Sequence, residues 1–356
     1  MAQSYELNSE APKKRKKISL LRLSSLFFVR LFLRVRKKNY LCGVNRDRIR
    51  KKKQKLMDVA PVIRLRGQLM DLARPRVMGI VNVTPDSFFP ASRVEGQEEV
   101  VRRARQLVDE GADILDLGAC STRPGSTPVS EDEEWQRLAP ALEAIRRELP
   151  EVPVSVDTFR ASIARRSVLD FGADIINDIS AGDLDPQMFP TVAELSVPYV
   201  LTHNAPFSPS VSAEGPVDGS LSAVASEDVP SLLSSVARHL AERLQQLYAL
   251  GVADVILDPG FGFGKTLEQN YALLHHLHDL MTAFPGTPLL VGISRKSMIH
   301  RLLDITPDEA LNGTTVLNTL ALQSGAHILR VHDVRPAVEA IRIFMAYGAD
   351  GVNGPL

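Results

Sequence analysis

Residues 77–118 carry VMGIVNV (Val77–Val83), then EEVVRRARQLVDEG (Glu98–Gly111), then DILDLG (Asp113–Gly118). The outer two are short and nearly continuous in Val, Ile and Leu, the pattern of a parallel strand buried on both faces. The middle segment spaces Val100, Ala104, Leu107 and Val108 along one side of a helix. The same rhythm continues along the chain. VPVSVD follows at Val152, DIINDI at Asp174, PYVLTH at Pro198, DVILDP at Asp254, PLLVGIS at Pro288 and HILRVH at His327. Amphipathic stretches such as EWQRLAPALEAIRREL (Glu134–Leu149) lie between them. Eight strand–helix units in roughly 290 residues match a (β/α)8 barrel in number and size. A doubly wound open sheet is the alternative.

The polar residues fall at one end of these runs. Asn82, Asp116, Asp157, Asn177, His203, Asp258, Ser294 and His332 stand at or near the C-terminal ends of the eight apolar segments. In a (β/α)8 barrel those ends converge on one mouth, where the fold places its chemistry. A capping Asp or Asn explains any one of them; eight in series are better read as a site.

Composition narrows the class. The chain has 356 residues, with 44% hydrophobic and 24% charged, which excludes a polytopic membrane protein and a wholly disordered one. Its two cysteines, Cys42 and Cys120, build no disulfide framework, so a reducing compartment is expected. The 42 basic and 42 acidic groups cancel, but they are not evenly mixed. Residues 13–55 hold about 18 Lys and Arg against the single acid Asp47, which leaves the remainder acidic by about 15 charges. The sequence therefore divides into a basic N-terminal extension, residues 1–60, and an acidic barrel domain, residues 61–356. No nucleic-acid partner is expected, since the body has no general positive field.

The arm contains no spanning segment: its longest uncharged apolar run, Leu23–Val29, falls far short of the roughly 20 residues required. Three readings stay open for it, namely a mitochondrial presequence, a nuclear address at Lys13–Lys17 and a solvated tail. The expected location is cytoplasmic, with mitochondrial as the alternative. Two apparent motifs are set aside. The stretch Asp258–Thr266 ends like a phosphate-binding loop, but the required first glycine is Pro259, so a tight glycine turn is expected instead. His275, His276 and His278 sit in a helical stretch away from the strand ends and read as surface or packing residues.

Seven motifs in order resemble the dihydropteroate synthase family over about 280 residues: MGIVNVTPDSF (Met78–Phe88), GACSTRPGS (Gly118–Ser126), SVDT (Ser155–Thr158), INDIS (Ile176–Ser180), LDPGFGFGK (Leu257–Lys265), GISRKS (Gly292–Ser297) and RVHDV (Arg330–Val334). The resemblance implies a (β/α)8 barrel that condenses 6-hydroxymethyl-dihydropterin pyrophosphate with 4-aminobenzoate, giving dihydropteroate and pyrophosphate. It implies that Asp157, Asn177, Asp258, Lys296 and Phe263 bind the pterin, and that Thr122, Arg123, Pro124 and Ser297 frame the 4-aminobenzoate. Arg330 and His332 are implied as pyrophosphate anchors, with Asn82 beside them as ligand to a Mg²⁺ ion. Lys296, Arg330, His332 and Asp86 are the implied catalytic set, Arg295 is a structural member of its motif, and Cys120 is a poor nucleophile candidate.

Three departures stand out. Pro90 takes the place of a loop Asp, leaving Asp86 alone there. Cys120 is similar to the fungal members and unlike the Glu of bacterial ones. The segment Leu201–Pro206 lacks the family's Met and Gly residues. The Ser-, Ala- and Pro-rich stretch 206–230 reads as an insertion beside the mouth. The resemblance further implies a homodimer, and a pterin pyrophosphokinase on a separate chain. Two alternatives remain: a methyltetrahydrofolate-dependent methyltransferase and a barrel that binds pterin without turnover.

Overall fold

The computed structural model describes residues 60–83, 93–120, 129–204 and 228–348. Residues 1–59, Asp86, Pro90, Thr122, Arg123, Pro124 and most of the 206–230 stretch lie outside the described residues. The described chain opens on a hairpin, β1 (Val62–Leu65) and β2 (Gln68–Asp71). Eight strands follow: β3 (Arg76–Asn82), β4 (Ile114–Gly118), β5 (Val154–Asp157), β6 (Ile175–Asp178), β7 (Tyr199–Thr202), β8 (Val255–Asp258), β9 (Leu290–Val291) and β10 (Ile328–Val331). They form one parallel sheet in the order β8-β7-β6-β5-β4-β3-β10-β9, and a parallel bridge from Leu257 to Leu289 joins its two edges. The expected (β/α)8 barrel is therefore present, and the open sheet is excluded.

Ten helices among the described residues lie outside the strands. They are α1 (Arg93–Asp109), α2 (Glu131–Glu148), α3 (Ala161–Phe171), α4 (Met188–Leu195), α5 (Asp228–Ala249), α6 (Leu267–His275), α7 (Leu277–Ala283), α8 (Ser297–Leu303), α9 (Leu311–Gln323) and α10 (Val334–Gly348). Local chemistry sets their ends. Ser130 caps α2 by accepting from the Glu133 amide, Thr266 and Gln269 make a reciprocal capping box on α6, and Gly172 closes α3 in the left-handed region. Among the described residues no helix is long and apolar enough to cross a membrane.

Period-two alternation splits every strand between two cores. Val77, Leu115, Val156, Ile176, Leu201, Leu257 and Leu329 face the helices in a large outer core. Met78, Ile114, Ile175, Val200, Ile256, Leu290 and Ile328 fill the barrel interior. Two residues on, the same inward parity gives Asp116, Asn177, Thr202, Asp258 and Arg330. The interior thus changes from hydrocarbon to charge within one step along the strands.

The hairpin was not foreseen from the sequence. It packs Ile63, Leu65 and Leu72 into the interior cluster, closing the end of the barrel opposite the polar layer. Arg66 and Gly67, at φ 51° and 77°, make its two-residue turn. Arg66 Nε then bonds Asp174 Oδ1 at 2.8 Å; Asp174 also accepts from Arg146 at 2.6 Å and from the Val154 amide at 2.8 Å. One buried carboxylate thereby ties the plug to α2 and β5.

Candidate active site

The polar layer is built around Arg330. Its Nε donates to Asp116 Oδ2 and its Nη2 to Asp157 Oδ2, both at 2.6 Å. Asn177 Nδ2 donates to the same Asp116 oxygen at 3.1 Å. Four strands, β4, β5, β6 and β10, are thus linked through side chains. Asp116 Oδ1 is buried and has no hydrogen-bond partner among the described residues, which leaves an acceptor in the polar layer for a donor to satisfy. Asp116 was noted as a strand-end residue but was absent from the expected binding set; its orphaned oxygen makes it a further candidate.

Burial dominates the titration of this layer. It raises Asp157 to about 7, with Arg330 opposing and Asp116 adding to the rise. Burial likewise raises Asp258, against the pull of Lys296 and the Gly260 amide. For Arg330 burial works against the charge, but Asp116 and Asp157 outweigh it and hold the guanidinium above the usual arginine value. Lys296 is drawn down to about 8 by burial, with Asp258 opposing. Carboxylates and cations here compensate one another in a low dielectric, and neither set is independent.

Lys296 precedes the first turn of α8. Its Nζ donates to the Phe261 carbonyl and lies 4.4 Å from the centre of the Phe263 ring, a cation–π contact. Ser297 is the next residue, opening α8. Arg295 pairs with Asp333 at 2.7 Å and Asp308 at 3.0 Å, so it fastens the loop before α8 to the end of β10. This is the structural part expected of it. His332 Nδ1 lies 3.1 Å from Ser294 Oγ, and the His332 carbonyl accepts from Arg103 of α1 at 2.7 Å. Asn82 ends β3 half-buried, beside Gly118 in register. Asp157, Asn177, Asp258, Lys296, Phe263 and Arg330 therefore gather at the inner mouth, while Asp86, Thr122, Arg123 and Pro124 lie outside the described residues.

Arg330 differs in emphasis from the sequence reading. It is committed to the floor carboxylates through Nε and Nη2, leaving Nη1 without a hydrogen bond among the described residues. His203 is also displaced from expectation. It is one residue past the inward Thr202, so its ring turns away and packs edge-on to His239 at 5.0 Å. Burial drives it down to about 3 and keeps it neutral. Cys120 has its thiol pushed up by burial, which argues against a thiolate nucleophile. His276 meets His275 edge-on and contacts Asp279, a packing arrangement on α6 and α7.

The glycine turn is as expected. Gly260, Gly262 and Gly264 have φ of 70°, 82° and 58°. A Cβ on Gly260 would sit 1.8 Å from the His203 carbonyl oxygen. Gly260→Ala is therefore expected to cost at least about 2 kcal/mol, combining left-handed strain with a backbone clash. Denaturant unfolding checks this; a midpoint unchanged from wild type would refute the fit.

Comparison with known proteins agrees with this geometry. The family model described as pterin binding enzyme matches residues 78–332. Dihydropteroate synthase of Escherichia coli (strain K12) is 41% identical over 282 residues, which is 79% of this chain and 94% of that protein. The Bacillus subtilis (strain 168) protein of the same name is 40% identical over 261 residues, 73% and 84% of the two chains. A solved Xanthomonas albilineans dihydropteroate synthase with 4-aminobenzoic acid superposes at a TM-score of 0.70 with 37% identity, covering 82% of this chain and all of that one. A Yersinia pestis dihydropteroate synthase with a sulfonamide drug complex gives 0.68 and 36%, over 80% and 98%.

Proposed function

The chain belongs to the dihydropteroate synthases, the folate-pathway transferases among the pterin-binding enzymes, and we propose that its barrel mouth divides their reaction among three groups of residues. The pterin enters edge-first against Asp116, Asp157, Asn177 and Asp258. The observation that carries this reading is the buried Asp116 Oδ1 with no partner, beside carboxylates already held by Arg330. Exocyclic amine and ring N–H donors of a pterin satisfy such acceptors, and burial otherwise penalises them.

Lys296 lies over Phe263 and supplies a donor to the pterin's carbonyl and ring nitrogen. Its aliphatic stem and Ser297 form a wall for 4-aminobenzoate, to whose binding Thr122, Arg123 and Pro124 are also assigned. As the bond from the methylene carbon to pyrophosphate breaks, the electron pair leaves with pyrophosphate. Arg330 and His332 hold that anion, and Asp86 completes the proposed catalytic set. The aniline nitrogen then attacks the methylene carbon with its lone pair and releases one N–H proton to water or the departing pyrophosphate, so no side-chain nucleophile is needed.

Mg²⁺ uses one or two protein ligands and completes its shell with water and phosphate oxygens. Asn82 fits that requirement, while no cluster of three His, Cys, Asp or Glu among the described residues offers an all-protein cage. When bound there, the ion supplies charge compensation to the pyrophosphate oxygens.

We also infer a homodimer. It is supported by the exposed Leu302, Leu303, Leu311, Val316 and Leu320 on α8 and α9; a monomer at micromolar concentration in sedimentation would refute it. The pterin pyrophosphate would come from a pterin pyrophosphokinase. The basic arm would serve as an address, with a cytoplasmic location expected and mitochondrial import the alternative.

The direct test is pyrophosphate release by purified protein given the pterin pyrophosphate, 4-aminobenzoate and Mg²⁺. Release dependent on 4-aminobenzoate is expected. No release, with the pterin still bound in a thermal-shift assay, would support a binding barrel without turnover. Because Lys296 must donate, kcat/KM is expected to fall on the alkaline side with an apparent pKa near 8. A flat profile from pH 7 to 9.5 would remove Lys296 from that part.

A further inference from the structure

The proposed mechanism does not use Lys265, a half-buried cation beside the mouth. Lys265 lies just beyond the glycine turn, and its side chain folds back inside the loop. Its Nζ donates to three backbone carbonyls: Gly260 at 2.7 Å, Phe263 at 3.2 Å and His203 at 3.4 Å. The first two belong to the turn itself and the third to the end of β7. Of the two carbonyls between them along the chain, that of Phe261 serves Lys296 instead. Two ammonium groups therefore engage one short loop.

The loop has other restraints, but they do not hold every carbonyl. Phe261 is fully buried in the outer core, the Phe263 amide donates to the Gly260 carbonyl at 3.2 Å, and the Gly260 and Gly262 amides donate to the Asp258 carboxylate and to Asn270 Oδ1, both at 2.7 Å. Asn270 also donates to the Lys265 and Thr266 carbonyls, which holds the end of the loop and not its crest. Without the Lys265 ammonium, the inward carbonyls of Gly260 and Phe263 would lose their shared donor, a cost that favours a different loop path. Phe263 and the Phe261 carbonyl would move with it.

We propose that Lys265 is a positioning residue for the transfer reaction: its ammonium, caged by the His203, Gly260 and Phe263 carbonyls, fixes the loop that presents Phe261 and Phe263 to Lys296. This rests on the reading of Lys296 given above. Electrostatics support it independently. Burial draws Lys265 down to about 7, Asp258 opposes the fall, and Lys296 adds to it. The other titratable neighbours are His203 and His239, both kept neutral by burial. Lys265 and Lys296 thus repel one another across Asp258, and the loss of one charge stabilises the other.

The test compares Lys265→Met and Lys265→Arg with wild type in the full-length chain, following pyrophosphate release from pH 6 to 10. The Met variant is expected to lose about tenfold to a hundredfold in kcat through misplacement of Lys296. Its alkaline limb near 8 is expected to stay in place, because Lys265, drawn down to about 7, is already largely neutral where Lys296 titrates. The Arg variant restores a donor that stays charged across this range, and is expected to recover part of kcat and to move the limb down, since Lys296 then faces a cation where it titrates. A Met variant within twofold of wild type, or an Arg variant no faster than the Met variant, overturns the assignment. Should Lys265→Met not fold, Lys265→Gln is measured in the same way. If the Met, Gln and Arg variants all fail to fold, Lys265 is a folding residue and the assignment is overturned. Wild-type protein that releases no pyrophosphate fails the parent reading instead, before any variant is compared.

Discussion

Lys296→Ala is expected to lower kcat at least about 10³-fold while leaving the fold nearly as stable as before. The loss follows from where the ammonium stands. Lys296 Nζ is fixed by the Phe261 carbonyl and the Phe263 ring, in a site where burial already pulls it down to about 8. A pre-oriented donor in such a site acts on developing charge without reorganisation, and deleting one costs about 10²–10³ in kcat. Lys296 also shapes the wall for the second substrate, which adds an orientation loss to the electrostatic one. Stability behaves differently, because the ammonium carries a desolvation penalty that its removal relieves. The Phe261 carbonyl loses a donor, a cost of about 1–3 kcal/mol that offsets part of that relief. Pyrophosphate release and thermal unfolding on the same preparation separate the two effects. Activity near wild type, or loss of activity only through unfolding, would remove Lys296 from the reaction. Lys296→Arg is expected to fail as well, since a planar guanidinium does not fit between Phe263 and the loop carbonyl.

The barrel was legible because its signals are local. Each apolar run ends in a polar residue, and alternation alone assigns Asp116, Asn177, Asp258 and Arg330 to one face of their strands. The same parity rule, applied strictly, separates His203 from Thr202 and predicts that the histidine turns outward. The hairpin was missed although VIRL-RG-QLMD carries a two-residue turn between short strands. Its apolar set is only Ile63, Leu65 and Leu72, and nothing local says that they enter the barrel from below. Lys265 was passed over for the opposite reason: it completes a false phosphate-loop match, and dismissing the motif removed its lysine from view. The pairing of Arg330 with Asp116 and Asp157 spans 214 and 173 residues, respectively. Contacts of that range depend on barrel closure and leave no trace in any sequence window.

That long-range pairing predicts a second large effect, one whose size depends on pH. Arg330→Met leaves Asp116 and Asp157 buried without their shared cation, and removing one partner from a buried ion pair typically costs about 3–5 kcal/mol. The cost falls if a carboxylate takes up a proton. Asp157 is the candidate, since burial already holds it at about 7 in the folded protein against roughly 3.9 unfolded. With the folded value raised, the native state binds more protons than the unfolded state between about 4 and 7, so stability falls as pH rises through that window. Losing Arg330, which opposes the rise, moves the folded value higher still and extends the falling limb above pH 7. The variant is therefore expected to lose more melting temperature at pH 8 than at pH 6, relative to wild type at each pH. Arg330→Lys is expected to be intermediate, because a point charge satisfies one carboxylate geometrically and the other only at a distance. Both variants are expected to lose turnover, since the floor that receives the pterin is held in shape by this guanidinium. Equal melting losses at the two pH values would mean that Asp157 is not the group responding, and a loss of only a degree or two at both would mean that the cluster does not depend on Arg330.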